Sequence, residues 1–181
     1  DITYRIQSSG TNRWSQLTVL QHFTKYMENL SNKFNVLETP DPPDAIIEIN
    51  HKKTWLEITD AFLDQEHAIG LTTGVSEDVE HISDSGRLVI EPDKTFSSVL
   101  QSVIESKYDK LSMQTIFQNR GAGILLVGIF TPFASAADIA RSEAKSISDL
   151  VAKKSVKVFD TIYVYDGTGQ RSFHSIYSEM T

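Results

Sequence analysis

Two acidic residues lie on neighbouring apolar segments of the stretch PPDAIIEINHKKTWLEITDAF, which covers residues 42–62. Asp44 opens the first segment, and Glu57 lies inside the second, between Leu56 and Ile58. The segments AIIEI and TWLEI, separated by the polar NHKK, predict a β-hairpin. Two carboxylates on adjacent strands can bind one Mg²⁺ or Mn²⁺ ion, which prefers oxygen ligands and retains waters that can be activated. The backbone carbonyl of Ile58 is a candidate third ligand.

Side-chain alternation along the second strand gives Glu57 apolar neighbours. Glu57 and Thr59 share one face with Trp55, whereas Leu56 and Ile58 point to the other face. The alternative interpretation is an exposed strand glutamate, with an aspartate that only follows Pro-Pro in a turn. Glu48, a further acid in the same hairpin, supports that alternative. The pattern alone leaves both interpretations open.

The hairpin resembles the core of the PD-(D/E)XK nuclease superfamily, in which a Pro-Asp opens one core strand and an acid-x-Lys triplet follows on the next. Pro43-Asp44 matches the first element, and Glu57-Ile58-Thr59 matches the second except that threonine replaces lysine. Some branches of the superfamily carry Glu-x-Thr and take the lysine from the following helix. The segment AFLDQEHA at 61–68 is also similar to uncharacterised bacterial members, and the resemblance covers residues 14 to about 133.

The resemblance implies a restriction-endonuclease-like fold and metal-dependent hydrolysis of phosphodiester bonds. Asp44 and Glu57, with the Ile58 carbonyl, would bind Mg²⁺ or Mn²⁺, and Thr59 would help to position the site by hydrogen bonding. The implied substrate is nucleic acid, with DNA expected ahead of RNA. Many such nucleases act as dimers, so a homodimer is among the expected assemblies. The absence of cysteine favours a bacterial or cytosolic setting, and the cytoplasm is the expected location.

Lys107 is the candidate for the displaced lysine. The spacing of apolar residues predicts a helix from Asp93 or Thr95 to about Leu111, and Lys107 lies near the middle of its apolar stripe. A lysine on a core-facing stripe is unfavourable unless it is paired or used. The alternative is a snorkelling side chain whose ammonium reaches water. The segment IESKYDKL at 104–111 also resembles the lysine-bearing helix of the Glu-x-Thr branch.

Gln16 occupies the inward polar position of the first predicted helix, residues 14–30. Members of the superfamily often place an acid there, but Glu28, the only acid of this helix, points away from the apolar stripe. A glutamine can orient water or bind a metal weakly through its carbonyl oxygen. A polar residue at a frayed helix start is the alternative.

The remaining pattern predicts an α/β protein with a mixed central sheet flanked by helices, formed by a single domain over residues 1–181. The predicted strands cover 2–6, 34–38, 87–91, 121–130, 156–166 and 171–177. Residues 121–130 are the most apolar and should be central, and Ser135 should cap a helix over 136–151. A short helix is predicted at 64–69, and the loop 70–86 could flank the substrate groove.

Composition excludes several classes of site. The chain of 181 residues contains no cysteine, so disulfides and thiolate metal sites are excluded, and its five histidines show no zinc-binding spacing. No apolar run is long enough to span a membrane. The basic run KKSVKV at 153–158 is explained by a helix C-terminus, and GTGQR at 167–171 by a hairpin turn.

The net charge of −7 argues against broad, charge-driven binding of nucleic acid. It is consistent with a rival hypothesis, in which Glu-x-Thr and the missing first-helix acid mark a decayed site. The protein would then be a catalytically inactive nuclease-fold binding module, or an accessory subunit of a larger complex.

Overall fold

The computed structural model describes residues 10–62, 92–168 and 171–179, with side chains from residues 16–62, 96–168 and 171–179. These residues form one six-stranded sheet in which the strands follow one another in chain order. The strands are β1 (Phe34–Glu38), β2 (Ala45–Ile49), β3 (Lys52–Phe62), β4 (Gly123–Phe130), β5 (Phe159–Asp166) and β6 (Phe173–Ser178). The helices are α1 (Gly10–Asn29), α2 (Pro92–Asp109), α3 (Leu111–Arg120) and α4 (Ala136–Ala152).

The sheet is mixed, which confirms the predicted fold class. Strands β3, β4 and β5 are parallel, and the outer pairs β1–β2, β2–β3 and β5–β6 are antiparallel. Seven of the eight residues of β4 are buried, as expected for a central strand covered on both faces. Within the described residues, no helix is long and apolar enough to cross a membrane.

Helices cover both faces of the sheet. Helix α1 packs Leu20, Phe23 and Met27 with Leu56, Ile58 and other residues on one face. Helices α2, α3 and α4 pack on the opposite face, where they bury Leu100, Met113 and Ile147 with Trp55 of β3. Strand alternation therefore directs even-numbered residues of β3 towards α1 and odd-numbered residues towards α2. Glu57 belongs to the second group.

The hairpin is tighter than predicted. Its turn consists of Asn50 and His51 alone, with φ values of 50° and 69°, and β3 already begins at Lys52. Two successive left-handed residues form the type of turn that matches the twist of a hairpin, and asparagine tolerates this conformation. The side-chain carbonyl of Asn50 also accepts a hydrogen bond from the backbone N–H of Lys33 (2.9 Å).

The three predicted helices that fall on described residues are present with shifted ends. Pro92 opens α2, one residue before the earlier of the two predicted starts, in keeping with the preference for proline in the first turn. Ser135 caps α4 as predicted, and Asp138 completes a reciprocal capping box. Helix α3 was not predicted at all. The predicted strands at 2–6 and 87–91, the helix at 64–69 and the loop 70–86 lie outside the described residues.

Candidate active site

The antiparallel pairing of β2 with β3 ends before β3 does. The last pair joins Ala45 to Leu56, and β3 then continues to Phe62. Beyond this pair, the side chain of Asp44 replaces a backbone partner. Its Oδ2 accepts a hydrogen bond of 2.7 Å from the backbone N–H of Ile58. The N–H and C=O of one strand residue project towards the same edge. The Ile58 carbonyl therefore faces the edge on which Asp44 lies.

Glu57 is the only buried charged residue of the described chain, with 5% of its surface exposed. Its Oε1 lies 2.6 Å from Nζ of Lys107, whereas Oε2 is buried without a hydrogen-bond partner. A buried carboxylate oxygen without a partner is costly. Glu57 is therefore only half satisfied, and its second oxygen is available to a further cation or donor.

Lys107 reaches Glu57 because of its place on α2. The helix packs Leu100, Ile104 and Tyr108 against the α2 side of the sheet, and Lys107 shares that inward surface near the helix end. It follows Glu57 by 50 residues in the chain. The predicted proximity of this lysine to Glu57 is thus present, while its catalytic role stays a prediction.

Asp44 has an electrostatic environment unlike that of a surface acid. Burial raises the pKa of Asp44 from 3.8 to about 7, and the negative charge of Glu57 adds to the rise. The Ile58 hydrogen bond and the positive charge of Lys107 oppose it. Two partly desolvated carboxylates with one lysine leave an excess of negative charge, which a bound cation would relieve.

The residues fit a Mg²⁺ or Mn²⁺ ion in the chemistry of their donors. Asp44, Glu57 and the Ile58 carbonyl are all oxygen donors, and the unpartnered Oε2 of Glu57 lacks only a counter-charge. Across the described chain, no group of three or more His, Cys, Asp and Glu side chains is arranged to hold a metal. The remaining ligands of such an ion would thus be backbone oxygen and water, which Mg²⁺ usually retains.

Thr59 and Gln16 are not hydrogen-bonded to this site. Thr59 follows Glu57 on the same face of β3 and is half-buried, and Gln16 is half-buried on α1, across the sheet from α2. The hydrogen bonds among the described residues join neither side chain to Asp44, Glu57 or Lys107. Their positioning roles stay predictions.

A second polar group, absent from the sequence analysis, lies on the α1 face of the same strands. Asp60, Gly128 and Tyr165 are aligned across β3, β4 and β5. A side chain on Gly128 would come within 2.5 Å of Oδ1 of Asp60 and 2.9 Å of the Tyr165 hydroxyl. Glycine therefore leaves room for Tyr165 to donate a long hydrogen bond of 3.5 Å to Asp60.

Desolvation of its carboxyl group raises the pKa of Asp60, although the residue as a whole is exposed. The hydrogen bond from Tyr165 and the positive charges of Arg171 and Lys107 oppose this rise. The charge of Lys107, which pairs with Glu57, therefore also acts on Asp60. No local sequence signal marked this group, because its members meet only through the register of three strands.

The other polar candidates have structural partners. Lys157 donates hydrogen bonds to the carbonyls of Val151 and Lys154 at the end of α4, which agrees with the helix C-terminus explanation of the basic run. Lys154 pairs with Glu105 and Asp109 of α2.

Comparison of this chain with protein-family models, with curated proteins and with solved structures finds no match.

Proposed function

We propose that the protein is a metal-dependent nuclease that hydrolyses phosphodiester bonds of DNA or RNA, on a fold of the restriction-endonuclease type. The observation that carries the proposal is the half-satisfied Glu57, which is buried beside Asp44 and paired with Lys107 through one oxygen only. Buried acids with perturbed surroundings are typical of active sites, since purely structural ion pairs are usually satisfied on both sides.

Asp44 and Glu57 would hold the metal ion, with the Ile58 carbonyl as a further ligand. A bound Mg²⁺ or Mn²⁺ lowers the pKa of a coordinated water and offsets charge on a phosphate. The N–H of Ile58 fixes the orientation of the Asp44 carboxylate, and the rigid sheet fixes Glu57. Asp44 must be ionised to bind the metal ion, and the positive charge of Lys107 favours this ionised form.

Lys107 would act at the other side of Glu57. Its ammonium has three donors, of which one is used by Glu57. A second donor can orient the attacking water or stabilise the negative charge that develops on the phosphate. Because the side chain of Lys107 is half-buried, packing limits its rotamers and keeps the ammonium close to the carboxylates.

A non-catalytic binding module is the second candidate, and one observation favours it. Lys107 already neutralises Glu57, and the described residues provide no group of three metal-binding side chains. The same fold would then bind a partner without cutting it. Action in the cytoplasm and assembly as a homodimer belong to the first proposal, and measurement of the molar mass in solution tests the assembly.

The test is a Mn²⁺ titration by calorimetry, together with cleavage assays on single- and double-stranded DNA and RNA. The wild-type protein should bind Mn²⁺ and cut at least one substrate. Asp44→Asn and Glu57→Gln should each reduce cleavage by roughly a thousandfold or more, because each removes a charged ligand. Asp149→Asn, which changes an exposed acid of α4, serves as the control. Wild-type protein that neither binds Mn²⁺ nor cuts any substrate would leave the binding module as the function.

A further inference from the structure

The contact between Arg171 and His22 joins the start of β6 to α1. Nη1 of Arg171 lies 3.1 Å from Nδ1 of His22. A guanidinium is always protonated and has no acceptor, so Arg171 must donate and Nδ1 must accept. His22 is therefore neutral in this arrangement and carries its proton on Nε2. Burial lowers the pKa of His22, and the positive charges of Arg171 and Lys25 lower it further, which agrees with the neutral form.

Arg171 has a surplus of hydrogen-bonding capacity. Its partner is an uncharged ring, and no carboxylate of the described chain lies within ion-pair distance of it. Its Nε is buried without a hydrogen-bond partner. Arginines that are only structural usually pair with a carboxylate or with carbonyl groups. This half-buried guanidinium retains both its charge and unused donors.

The position of Arg171 relative to the site of Asp44, Glu57 and Lys107 indicates which ligand its unused donors could bind. Arg171 contacts His22 of α1 and therefore lies on the α1 side of the sheet, whereas Lys107 contacts Glu57 on the α2 side. The positive charges of both lower the pKa of Asp60 against the effect of its burial. Asp60 lies near the end of β3, beyond the last residue that pairs with β2, so both cations act electrostatically on this end of the strand. The protein as a whole has a net charge of −7, so a polyanion needs local positive groups of this kind in order to approach.

We propose that Arg171, oriented by neutral His22, binds a backbone phosphate of the nucleic-acid strand on the α1 side of β3, next to the scissile phosphate at the proposed metal site of Asp44 and Glu57. The identity of this ligand rests on the proposed function. Guanidinium groups bind phosphate oxygens through paired N–H donors, and contacts of this kind fix the register of a strand without reading its sequence. Lys25, exposed on the same helix as His22, adds positive charge to the approach.

The test measures binding without cleavage. Anisotropy titrations use labelled 20-nucleotide single- and double-stranded DNA and RNA in EDTA, over a series of salt concentrations. Arg171→Gln should weaken binding by about tenfold and reduce the slope of log K against log[salt] by about one, because one phosphate contact is lost. Arg171→Lys should retain the slope and lose part of the affinity, since charge persists without the fork. His22→Ala should weaken binding less than Arg171→Gln.

Arg120→Gln is the matched control, because Arg120 is an exposed arginine at the end of α3 and should not alter binding. Circular dichroism and the thermal midpoint verify that each variant folds. If Arg171→Gln does not fold, the affinities and salt slopes of Arg171→Lys and His22→Ala decide whether Arg171 contacts a phosphate.

The outcomes separate this inference from the nuclease proposal. Arg171-dependent binding by a protein that never cuts would support the inference and reject the nuclease. Cleavage by the wild-type protein, with equal affinities for the wild-type and Arg171→Gln proteins, would overturn the inference and leave the nuclease intact. A wild-type protein that binds none of the oligonucleotides overturns the inference.

Discussion

Two lysines of this protein are exposed to nearly the same extent and yet form ion pairs of opposite character. The side chain of Lys107 is 17% exposed and that of Lys154 is 16% exposed. The partner of Lys107 is a glutamate that is 6% exposed, whereas Lys154 pairs with Glu105 and Asp109, which are 52% and 58% exposed. The difference between the two pairs therefore lies in the carboxylates.

The Lys154 group is a satisfied surface bridge. Its ammonium contacts three carboxylate oxygens, these hydrogen bonds raise the pKa of Lys154, and both acids remain hydrated. Such a bridge links the end of α4 to α2 and contributes little to stability. The Lys107 pair leaves Oε2 of Glu57 buried and unpartnered beside a second acid. The Lys107 pair is thus the poorer arrangement for stability, and this contrast supports the proposal of a functional site there.

The largest expected difference between the two lysines is in catalysis. If the proposed function holds, Lys107→Met should lower kcat by roughly a hundredfold, because it removes the cation proposed to act on the developing charge. Lys154→Met should leave kcat within about twofold, since its acids are at the surface. Cleavage rates at saturating Mn²⁺ measure both. Equal rates for the Lys107→Met and wild-type proteins would remove this lysine from the proposed chemistry.

The second expected difference is in stability. Lys107→Met should lower the free energy of unfolding by about 2–3 kcal/mol, because it leaves the charge of Glu57 buried without a partner. Lys154→Met should lower it by less than about 1 kcal/mol. Urea denaturation of metal-free protein gives both values. Similar losses for the two variants would show that burial of the carboxylate does not distinguish the pairs.

The smallest expected effect depends on pH and concerns Asp44. Its pKa is raised from 3.8 to about 7 in the folded protein, so between these values the folded state holds a proton that the unfolded state has lost. Stability of the metal-free protein should therefore fall as pH rises through this window. Asp44→Asn removes that dependence, and should be more stable than wild type at pH 8 by roughly 1–3 kcal/mol, with the advantage vanishing near pH 4.

Asp149→Asn is the control for this pH dependence. A hydrogen bond with Lys145 lowers the pKa of Asp149, so its contribution is present above the unfolded pKa and is lost as pH falls. This variant should therefore be slightly less stable than wild type at pH 8 and equal to it in strong acid. A stability difference for Asp44→Asn that does not change with pH would contradict the assignment.

Local periodicity predicted the elements that carry the first site. Alternation in β3 placed Glu57 beside Trp55, and the helical stripe placed Lys107 inward. Helix α3 was missed because Met113 is its only buried residue, and so it shows almost no apolar stripe. The extension of β3 to Phe62 was missed as well. Residues 59–62 pair with residues of β4 that lie far along the chain, and no local pattern reports such pairing.

The contact between Arg171 and His22 could not be predicted either, for a related reason. Arg171 appeared to belong only to a hairpin turn, and His22 was one of several scattered histidines. They meet because β6 lies beside β5, and α1 packs over Phe173 next to them. Such a contact depends on the register and packing of distant segments, which a single sequence does not encode in any short window.

The parallel pairing of β3 with β4 has a consequence for how the chain folds. Strand β3 forms a local hairpin with β2, but Glu57 is aligned with Leu125, so its other flank is closed only by a strand 68 residues later. Pairing over such a distance requires a large loop closure and is slow. During synthesis, the hairpin with its acidic pair should therefore emerge well before the lysine and the central strand. A ribosome-bound chain that ends before residue 123 should lack the protease resistance of the finished sheet.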